Sequence, residues 1–231
     1  MTNEMKEKIA LFCNVRKECV IQNLTADNLY AVPLMLEEEG LANVVCEHLH
    51  LEKKTPNNKA WENMIENIKN IGDETVKIAI VGKYVRLEDS YLSVAESLRH
   101  GGYANNVNVD IKYIDSETIT EENAHEILKD VQGIVVPGGF GNRGIEGKIH
   151  AIKYVRENNI PFLGICLGMQ MAVVEFIRNV CGLEDVDSEE FSPKCKNPVI
   201  HIMDTQKNVS KKGGTMRLRK LSMYTKGRKP C

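Results

Sequence analysis

The chain has 231 residues, of which 42% are hydrophobic and 27% charged, a balance typical of a globular protein. Its formal net charge of −2 gives no electrostatic reason to expect nucleic acid or a membrane as a partner, and no stretch approaches the ~20 apolar residues of a membrane span. Seven cysteines, an odd number without a C-x-x-C pair, predict reduced thiols in a cytoplasmic protein.

Residues 1–50 are too few to close a core easily and are typical of the end of a larger domain. Within them, residues 8–13 predict a strand, and residues 27–39 predict a helix that Gly40 ends. Residues 51–74 are typical of a linker, with a polar turn followed by a helix over residues 59–70. Trp61 on that helix is expected to pack between domains rather than to bind a ligand.

From residue 75 onward, apolar strands alternate with amphipathic helices. Strands are predicted over residues 76–81 and 107–114 and in the runs that end at Pro137 and Cys166; helices are predicted over residues 90–100, 120–129, 145–157 and 169–180. This alternation predicts an open, mostly parallel α/β sheet with helices on both faces. Functional sites in such sheets lie at the carboxyl ends of the strands.

Cys166 lies at the centre of Gly164-Ile165-Cys166-Leu167-Gly168, between an apolar run and an amphipathic run. This is the strand, tight turn and helix layout of a nucleophile elbow, with Cys in the place of Ser. Flanking side chains would collide at so tight a turn, and a helix N-terminus favours the thiolate. The alternative is that Cys166 is a small buried hydrophobic residue.

A glycine-rich loop, Pro137-Gly138-Gly139-Phe140-Gly141-Asn142-Arg143-Gly144, follows the preceding strand. Successive glycines allow neighbouring backbone N–H groups to turn toward one anion. That anion is either a phosphate or the oxyanion of an acyl-transfer intermediate. The G-x-G-x-x-G fingerprint of dinucleotide binding is absent from the first strand of the sheet.

The two stretches together resemble the glutamine amidotransferase domain of CTP synthases. The resemblance extends through the sequences around Gly82-Lys83-Tyr84, residues 97–102 and residues 213–218, and residues 8–15 resemble the end of the synthetase domain. It implies a synthetase remnant over residues 1–50, a linker over 51–74 and a partial amidotransferase domain over 75–218. The basic tail over residues 219–231 departs from the family and is expected to be disordered.

The resemblance implies a flavodoxin-like fold and a glutamine-dependent ligase that converts UTP, ATP and glutamine to CTP. Cys166 would be the nucleophile, and the backbone N–H groups of Gly139 and Leu167 would form the oxyanion hole. The implied glutamine contacts are Gly139, Leu167, Gly168, Met169, Gln170 and Glu190, the last within an acidic stretch that is otherwise typical of a solvated loop. Lys8 would contact the pyrimidine nucleotide, unless it is a solvated surface lysine, and Ala26 would contact ATP through its backbone. No cofactor or metal site is expected within this chain; ATP and Mg²⁺ would serve the complete enzyme, which in this family is a homotetramer.

The family's catalytic His and Glu, which form a His-x-Glu element, have no counterpart in this sequence. His150 and His201 are the nearest histidines to the elbow in sequence, and they are expected to lie in a helix and a strand rather than to act as the base. Two alternatives to an active glutaminase therefore stay open: a catalytically silent glutamine-binding or assembly module, and an inactive truncated fragment.

Overall fold

A computed structural model describes residues 1–203 of the chain. The chain divides into two compact units, which are described separately. The N-terminal unit comprises Met1–Val76 and Ser93–Asp110, and the sheet unit comprises Lys77–Leu92 and the chain from Ile111 onward. None of the helices in the described residues is long and apolar enough to span a membrane. The described cysteines are all free thiols.

The N-terminal unit is mainly helical. Its helices are α1 (Asn3–Cys13), α2 (Val32–Glu38), α3 (Leu41–His48), α4 (Lys59–Lys69) and most of α5 (Leu92–Asn105). The buried apolar side chains in this unit are few: Ala10, Val20, Ile65 and Ala95. Helices this short are marginal in isolation, and so small a core gives them little tertiary support.

Helix α1 replaces the predicted strand over residues 8–13, and that prediction was wrong. The side chain of Thr2 caps the helix by accepting a hydrogen bond from the backbone N–H of Met5 at 3.3 Å. At the other end Asn14 adopts a left-handed conformation with φ 51°, which closes the last turn. Because no described strand pairs with this segment, the helix satisfies the backbone groups that a strand would leave unpaired.

The other predicted helices of this region are found with changed boundaries. The helix predicted over residues 27–39 is a short 3-10 turn, Leu29–Ala31, followed by α2. Gly40, with φ 84°, separates α2 from α3 and so ends the helix as predicted. Trp61 on α4 donates a hydrogen bond from its indole Nε1 to the backbone carbonyl of Tyr30 at 2.7 Å.

The sheet unit contains a four-stranded sheet and a small two-stranded sheet. The larger sheet has the order β2-β1-β3-β4, formed by β1 (Thr75–Gly82), β2 (Asn108–Asp115), β3 (Gly133–Val136) and β4 (Phe162–Gly164). β1 pairs with β3, and β3 with β4, in parallel. The expected parallel α/β sheet is thus confirmed.

The helices of the sheet unit are α6 (Ala124–Leu128), α7 (Ile145–Glu157) and α8 (Leu167–Asn179). α7 has the predicted bounds. α6 is shorter than the predicted 120–129, since Thr120 and Asn123 form side-chain hydrogen bonds with each other's backbone ahead of it. Helix α5 continues through Gly101 and Gly102, where an end was predicted.

The core of this unit lies between the sheet and its helices. Its fully buried members include Ala79, Val81, Leu128, Val136, Ala151, Val155, Leu167, Met171 and Val174. One charged side chain is also buried: Glu175 on α8, 1% exposed, accepts hydrogen bonds at 2.8–3.0 Å from Nε and Nη2 of Arg156 on α7, whose side chain is partly exposed. This pair fixes α7 against α8.

The acidic stretch over residues 185–191 is not simply a solvated loop. It contains β5 (Val186–Ser188), which pairs in parallel with β6 (Asn197–Ile200). Val186 and Ser188 are each 2% exposed, so alternate side chains of this short strand are buried. The strand lies directly before Glu190, whose backbone N–H donates to Ser188 Oγ at 3.2 Å.

Candidate active site

Cys166 is held at a sharp turn between β4 and α8. Its backbone has φ 52° and ψ −105°, a conformation that residues other than glycine rarely adopt. The N–H of Ile165 donates to the carbonyl of Val136 at 2.9 Å, which ties the turn to β3. Helix α8 begins at the next residue, so the exposed thiol lies at a helix N-terminus. The predicted nucleophile elbow is present in its geometry, and the alternative of a buried hydrophobic cysteine is wrong.

The two glycines of the elbow are required by close backbone approaches. A Cβ on Gly164 would lie 2.5 Å from the backbone nitrogen of Met169. A Cβ on Gly168 would lie 1.9 Å from the carbonyl oxygen of Val136. Any side chain at these positions would push α8 away from β3 and β4, so the G-x-C-x-G spacing is dictated by sterics.

The glycine-rich loop lies beside the elbow. A Cβ on Gly138 would be 3.4 Å from Cβ of Cys166, and one on Gly139 would be 3.6 Å from Cδ2 of Leu167. The loop follows β3 and the elbow follows β4, and these parallel strands are neighbours. Residues 28 positions apart are therefore brought together at one edge of the sheet, where they were predicted to meet.

The backbone N–H groups of Gly139 and Leu167 are the two donors predicted to bind an oxyanion. In residues 1–203 neither N–H donates a hydrogen bond to another protein group. The N–H of Leu167 is one of those that a helix leaves unbonded in its first turn. Two unbonded donors beside a cysteine are the arrangement that acyl transfer requires of an oxyanion hole.

Glu190 reaches the glycine-rich loop from β5. Its Oε1 accepts a hydrogen bond from the backbone N–H of Gly141 at 3.3 Å. The carbonyl of the same peptide group, contributed by Phe140, accepts a hydrogen bond from the ammonium of Lys83. The structure thus brings Glu190 to the loop that lies beside Cys166.

Lys83 is a site residue to which sequence reasoning gave no role. It is buried at the carboxyl end of β1, and its backbone N–H donates to the hydroxyl of Tyr91 at 3.1 Å. Its carbonyl accepts a hydrogen bond from Nη2 of Arg143 at 3.1 Å, and Arg143 also pairs with Glu117 at 2.8 Å. The available signal was its position: a lysine that directly follows a buried parallel strand lies at the functional edge of the sheet.

The remaining predicted contacts have different surroundings. Met169 and Gln170 lie on the first turn of α8, with Met169 exposed and Gln170 half-buried. Lys8 is exposed on α1 and Ala26 is half-buried in an irregular segment, both in the N-terminal unit. The predicted basic tail lies outside the described residues.

No histidine within residues 1–203 makes a hydrogen bond with the thiol of Cys166. His48, His100 and His125 are hydrogen-bonded to Cys19, Tyr30 and Tyr154. His150 lies half-buried on α7 as predicted, whereas His201 follows β6 instead of lying inside a strand. His201 is exposed and pairs with Glu189 at 3.2 Å.

No group of three or more His, Cys, Asp or Glu side chains in residues 1–203 is arranged to hold a metal ion.

Two regions of the chain match models of known protein families. Residues 86–229 match the family model described as glutamine amidotransferase class-I, and residues 1–51 match the model described as CTP synthase N-terminus. Among curated proteins, a CTP synthase of Clostridium beijerinckii is 59% identical over 218 residues, which are 94% of this chain and 40% of that relative. A CTP synthase of Clostridium kluyveri is 56% identical over all 231 residues and 41% of its own length.

A solved structure titled as the glutaminase domain of Trypanosoma brucei CTPS with bound acivicin is also similar. It superposes with a TM-score of 0.54 at 46% identity, over 58% of this chain and 52% of that chain. The chain spans about 40% of the length of the curated relatives it matches.

Proposed function

Because this chain belongs to the glutamine amidotransferase class-I family, we propose that it carries the glutaminase part of a glutamine-dependent CTP synthase. The observation that carries the proposal is the strained Cys166 beside the unbonded N–H groups of Gly139 and Leu167. A nucleophile and nearby hydrogen-bond donors for the oxyanion are what hydrolysis of a side-chain amide needs.

The reaction proceeds by acyl transfer through a thioester. The thiolate of Cys166 attacks the side-chain amide carbon of glutamine, and the oxyanion that forms accepts hydrogen bonds from the N–H groups of Gly139 and Leu167. Collapse of this intermediate breaks the C–N bond and releases ammonia, which takes up the proton that the thiol of Cys166 lost on ionising. Water then cleaves the γ-glutamyl thioester, which releases glutamate and restores the thiol.

Glutamine is held around the elbow by the first turn of α8 and by Glu190. The carboxylate of Glu190 binds the α-amino group, and Gly168, Met169 and Gln170 line the substrate on the other side. The hydrogen bond between Glu190 and Gly141 supports this assignment, because it brings a carboxylate to the glycine-rich loop beside Cys166. A charged partner for an ammonium group also explains selection of an amino acid over a simple amide.

The remaining substrates belong to the synthetase part of the longer relatives. We expect ammonia to pass to a site that uses ATP, Mg²⁺ and UTP to form CTP, in a cytoplasmic homotetramer. Lys8 and Ala26 would be the contributions of this chain to that site, from residues 1–50. The match of residues 1–51 to the CTP synthase N-terminus model supports this division.

A second candidate function is glutamine binding without turnover. It is favoured by one observation: within residues 1–203 no imidazole is hydrogen-bonded to the thiol of Cys166, so a base for the thiol is not among the described contacts. Such a module would bind glutamine and release no ammonia.

The test is labelling of the whole chain with a diazo-ketone analogue of glutamine, followed by peptide mapping. We expect modification at Cys166 that excess glutamine prevents, and none at Cys181, an exposed thiol that serves as internal control. Cys166→Ala should abolish the labelling. Equal modification of both cysteines, or no protection by glutamine, would contradict a glutamine site.

Ammonia release from glutamine separates the two candidates. Protected labelling with ammonia release supports the glutaminase, and protected labelling without it supports the binding module. Acivicin, which is bound in the similar Trypanosoma brucei domain, is expected to compete with the diazo-ketone in either case.

A further inference from the structure

One peptide group in the glycine-rich loop is hydrogen-bonded to a cation at its carbonyl and to an anion at its N–H. The carbonyl of Phe140 accepts a hydrogen bond from Nζ of Lys83, and the N–H of Gly141 donates to Oε1 of Glu190. These two atoms belong to the same planar peptide bond, so they cannot turn independently. An ammonium, a peptide and a carboxylate therefore form one line of hydrogen bonds.

Each member of this line strengthens the next. A cation at the carbonyl polarises the peptide and makes its N–H a better donor to the carboxylate. Gly141 has φ 78°, a left-handed conformation that glycine adopts without strain. Lys83 is buried and directly follows β1, so the cation that binds the Phe140 carbonyl is attached to the sheet.

The backbone of Lys83 is held in place by its neighbours. Its backbone N–H and that of Tyr84 both donate to the hydroxyl of Tyr91, at 3.1 and 3.3 Å. The guanidinium of Arg143, from the far end of the glycine-rich loop, donates to the carbonyl of Lys83 at 3.1 Å. The middle of the loop, through Phe140, and its far end, through Arg143, are thus both attached to Lys83, which directly follows β1.

We infer that Lys83 is a positioning residue for glutamine recognition. It acts through the Phe140–Gly141 peptide on Glu190 and on the glycine-rich loop. The inference rests on the proposed function, since it assigns to Glu190 the α-amino group of the substrate. Lys83 touches neither the substrate nor Cys166 in this scheme. Its removal should weaken recognition of the amino-acid end and leave the reactivity of the thiol unchanged.

The experiment compares Lys83→Met with Lys83→Gln in the whole chain. Labelling of Cys166 by the diazo-ketone analogue gives an apparent affinity and a maximal rate, and iodoacetamide reports the thiol without recognition. We expect Lys83→Met to weaken the apparent affinity about tenfold, because a charged hydrogen bond to the loop is lost, with the iodoacetamide rate unchanged. Lys83→Gln keeps an N–H donor and should lose less; equal losses in the two variants would contradict the inference.

Glu190→Gln supplies the coupling test. If Lys83 acts through Glu190, the loss caused by Lys83→Met should be much smaller in the Glu190→Gln background than in the parent. Additive losses would overturn the inference. Lys129→Met, an exposed lysine paired with Glu126, is the matched control and should change none of these values.

Backbone hydrogen exchange measured without glutamine tests the positioning role of Lys83 independently of the proposed glutaminase function. Faster exchange over residues 138–144 in Lys83→Met, with no change over β3, supports the positioning role whether or not the chain binds glutamine. Unchanged exchange and unchanged affinity would overturn it. Labelling of the parent chain that glutamine does not prevent would overturn the proposed function instead, and exchange alone would then decide the role of Lys83.

Discussion

The nucleophile elbow in the sheet unit and helix α1 in the N-terminal unit are stabilised in different ways. Around the elbow, Val136 and Leu167 are at most 1% exposed, and glycines allow backbone approaches that no side chain would permit. On α1, Leu11 and Phe12 are 80% and 79% exposed, and the helix is fixed by its caps.

This difference teaches that tertiary packing has fixed the conformation of one region, and local hydrogen bonding that of the other. A strained turn such as that at Cys166 persists only where its surroundings hold it. Helix α1 has 11 residues, a length at which an isolated helix is only marginally stable, and it buries little apolar surface. We therefore expect the sheet unit to be the more stable of the two.

The largest predicted effect tests the ion pair between α7 and α8. Arg156→Met would leave the buried carboxylate of Glu175 without its charged partner, with only Asn179 still donating to it, and should destabilise the sheet unit by about 3 kcal/mol. Lys129→Met, which removes an exposed pair, should cost at most about 1 kcal/mol. Urea unfolding followed by circular dichroism measures both.

Arg156→Met also tests whether the two units unfold separately. Trp61 is the only tryptophan in the chain and lies in the N-terminal unit, so its fluorescence follows that unit. We expect the fluorescence transition to stay in place while the circular dichroism transition moves to lower urea. A joint shift would show that the units unfold together.

The next effect tests the steric origin of the elbow. Gly168→Ala forces a Cβ against the carbonyl of Val136 and should cost about 1–3 kcal/mol or more, with loss of glutamine-protected labelling at Cys166. Gly101→Ala is the matched control, because Gly101 lies in helix α5 with open space around its Cα. It should stabilise the chain by about 0.5–1 kcal/mol. Equal effects of the two substitutions would remove the steric argument.

A smaller effect, opposite in sign, tests a buried lysine in the sheet unit. Lys148 is 2% exposed, and burial, followed by the charges of Lys83 and Arg143, lowers its pKa to about 8. The carboxylates of Asp115 and Glu117 oppose this lowering. Below pH 8 the folded chain buries a charge that the unfolded chain solvates, so Lys148 costs stability there, and the cost disappears as the pH rises from about 8 toward 10.5.

Lys148→Met should therefore stabilise the sheet unit by about 1–3 kcal/mol at pH 7, and the gain should shrink at pH 10. Lys153→Met on the same helix removes a paired, partly exposed lysine and should give no gain. Urea unfolding at the two pH values checks both variants. A gain for Lys148→Met that does not change with pH would point to packing rather than charge.

The smallest effect concerns the N-terminal unit. The hydroxyl of Tyr30 donates to Glu96 and lies 2.6 Å from Nε2 of His100, which joins the loop before α2 to helix α5. Tyr30→Phe should cost about 0.5–1.5 kcal/mol, seen as a shift of the Trp61 fluorescence transition. Tyr103→Phe keeps its ring contact with Tyr30 and should have little effect.

The pH dependence of this contact has a defined sign. The hydrogen bond to Glu96 is the main cause that raises the pKa of Tyr30 from 10 to about 12. The neutral phenol is thus favoured in the folded chain, and its contribution is complete below pH 10 and lost as the pH rises through 12. The pKa of Glu96 is lowered, mainly by the same hydrogen bond, so its contribution is lost at acid pH. A Trp61 transition that is as stable at pH 12 as at pH 9 would contradict this account.

Much of the sheet unit was predictable because its patterns are repeated along the chain. Continuous apolar strands alternating with amphipathic helices identify a parallel sheet, and α7 was predicted to the residue. The elbow was predictable because Gly164 and Gly168 mark backbone approaches that only glycine permits. The N-terminal residues gave a weaker signal, since residues 8–13 are apolar enough for either a strand or a helix.

The sequence by itself determined the order of strands and helices in the sheet unit and the turn at Cys166, and it predicts that the glycine-rich loop binds an anion. These depend on steric and periodic rules that act over a few residues. Only the tertiary structure decided that Lys83 holds the peptide to which Glu190 is bonded and that residues 8–13 form a helix. The physical reason is that a hydrogen bond between residues 57 apart, such as that of Lys83 and Phe140, depends on which strands become neighbours, and a segment without a neighbouring strand must satisfy its backbone locally.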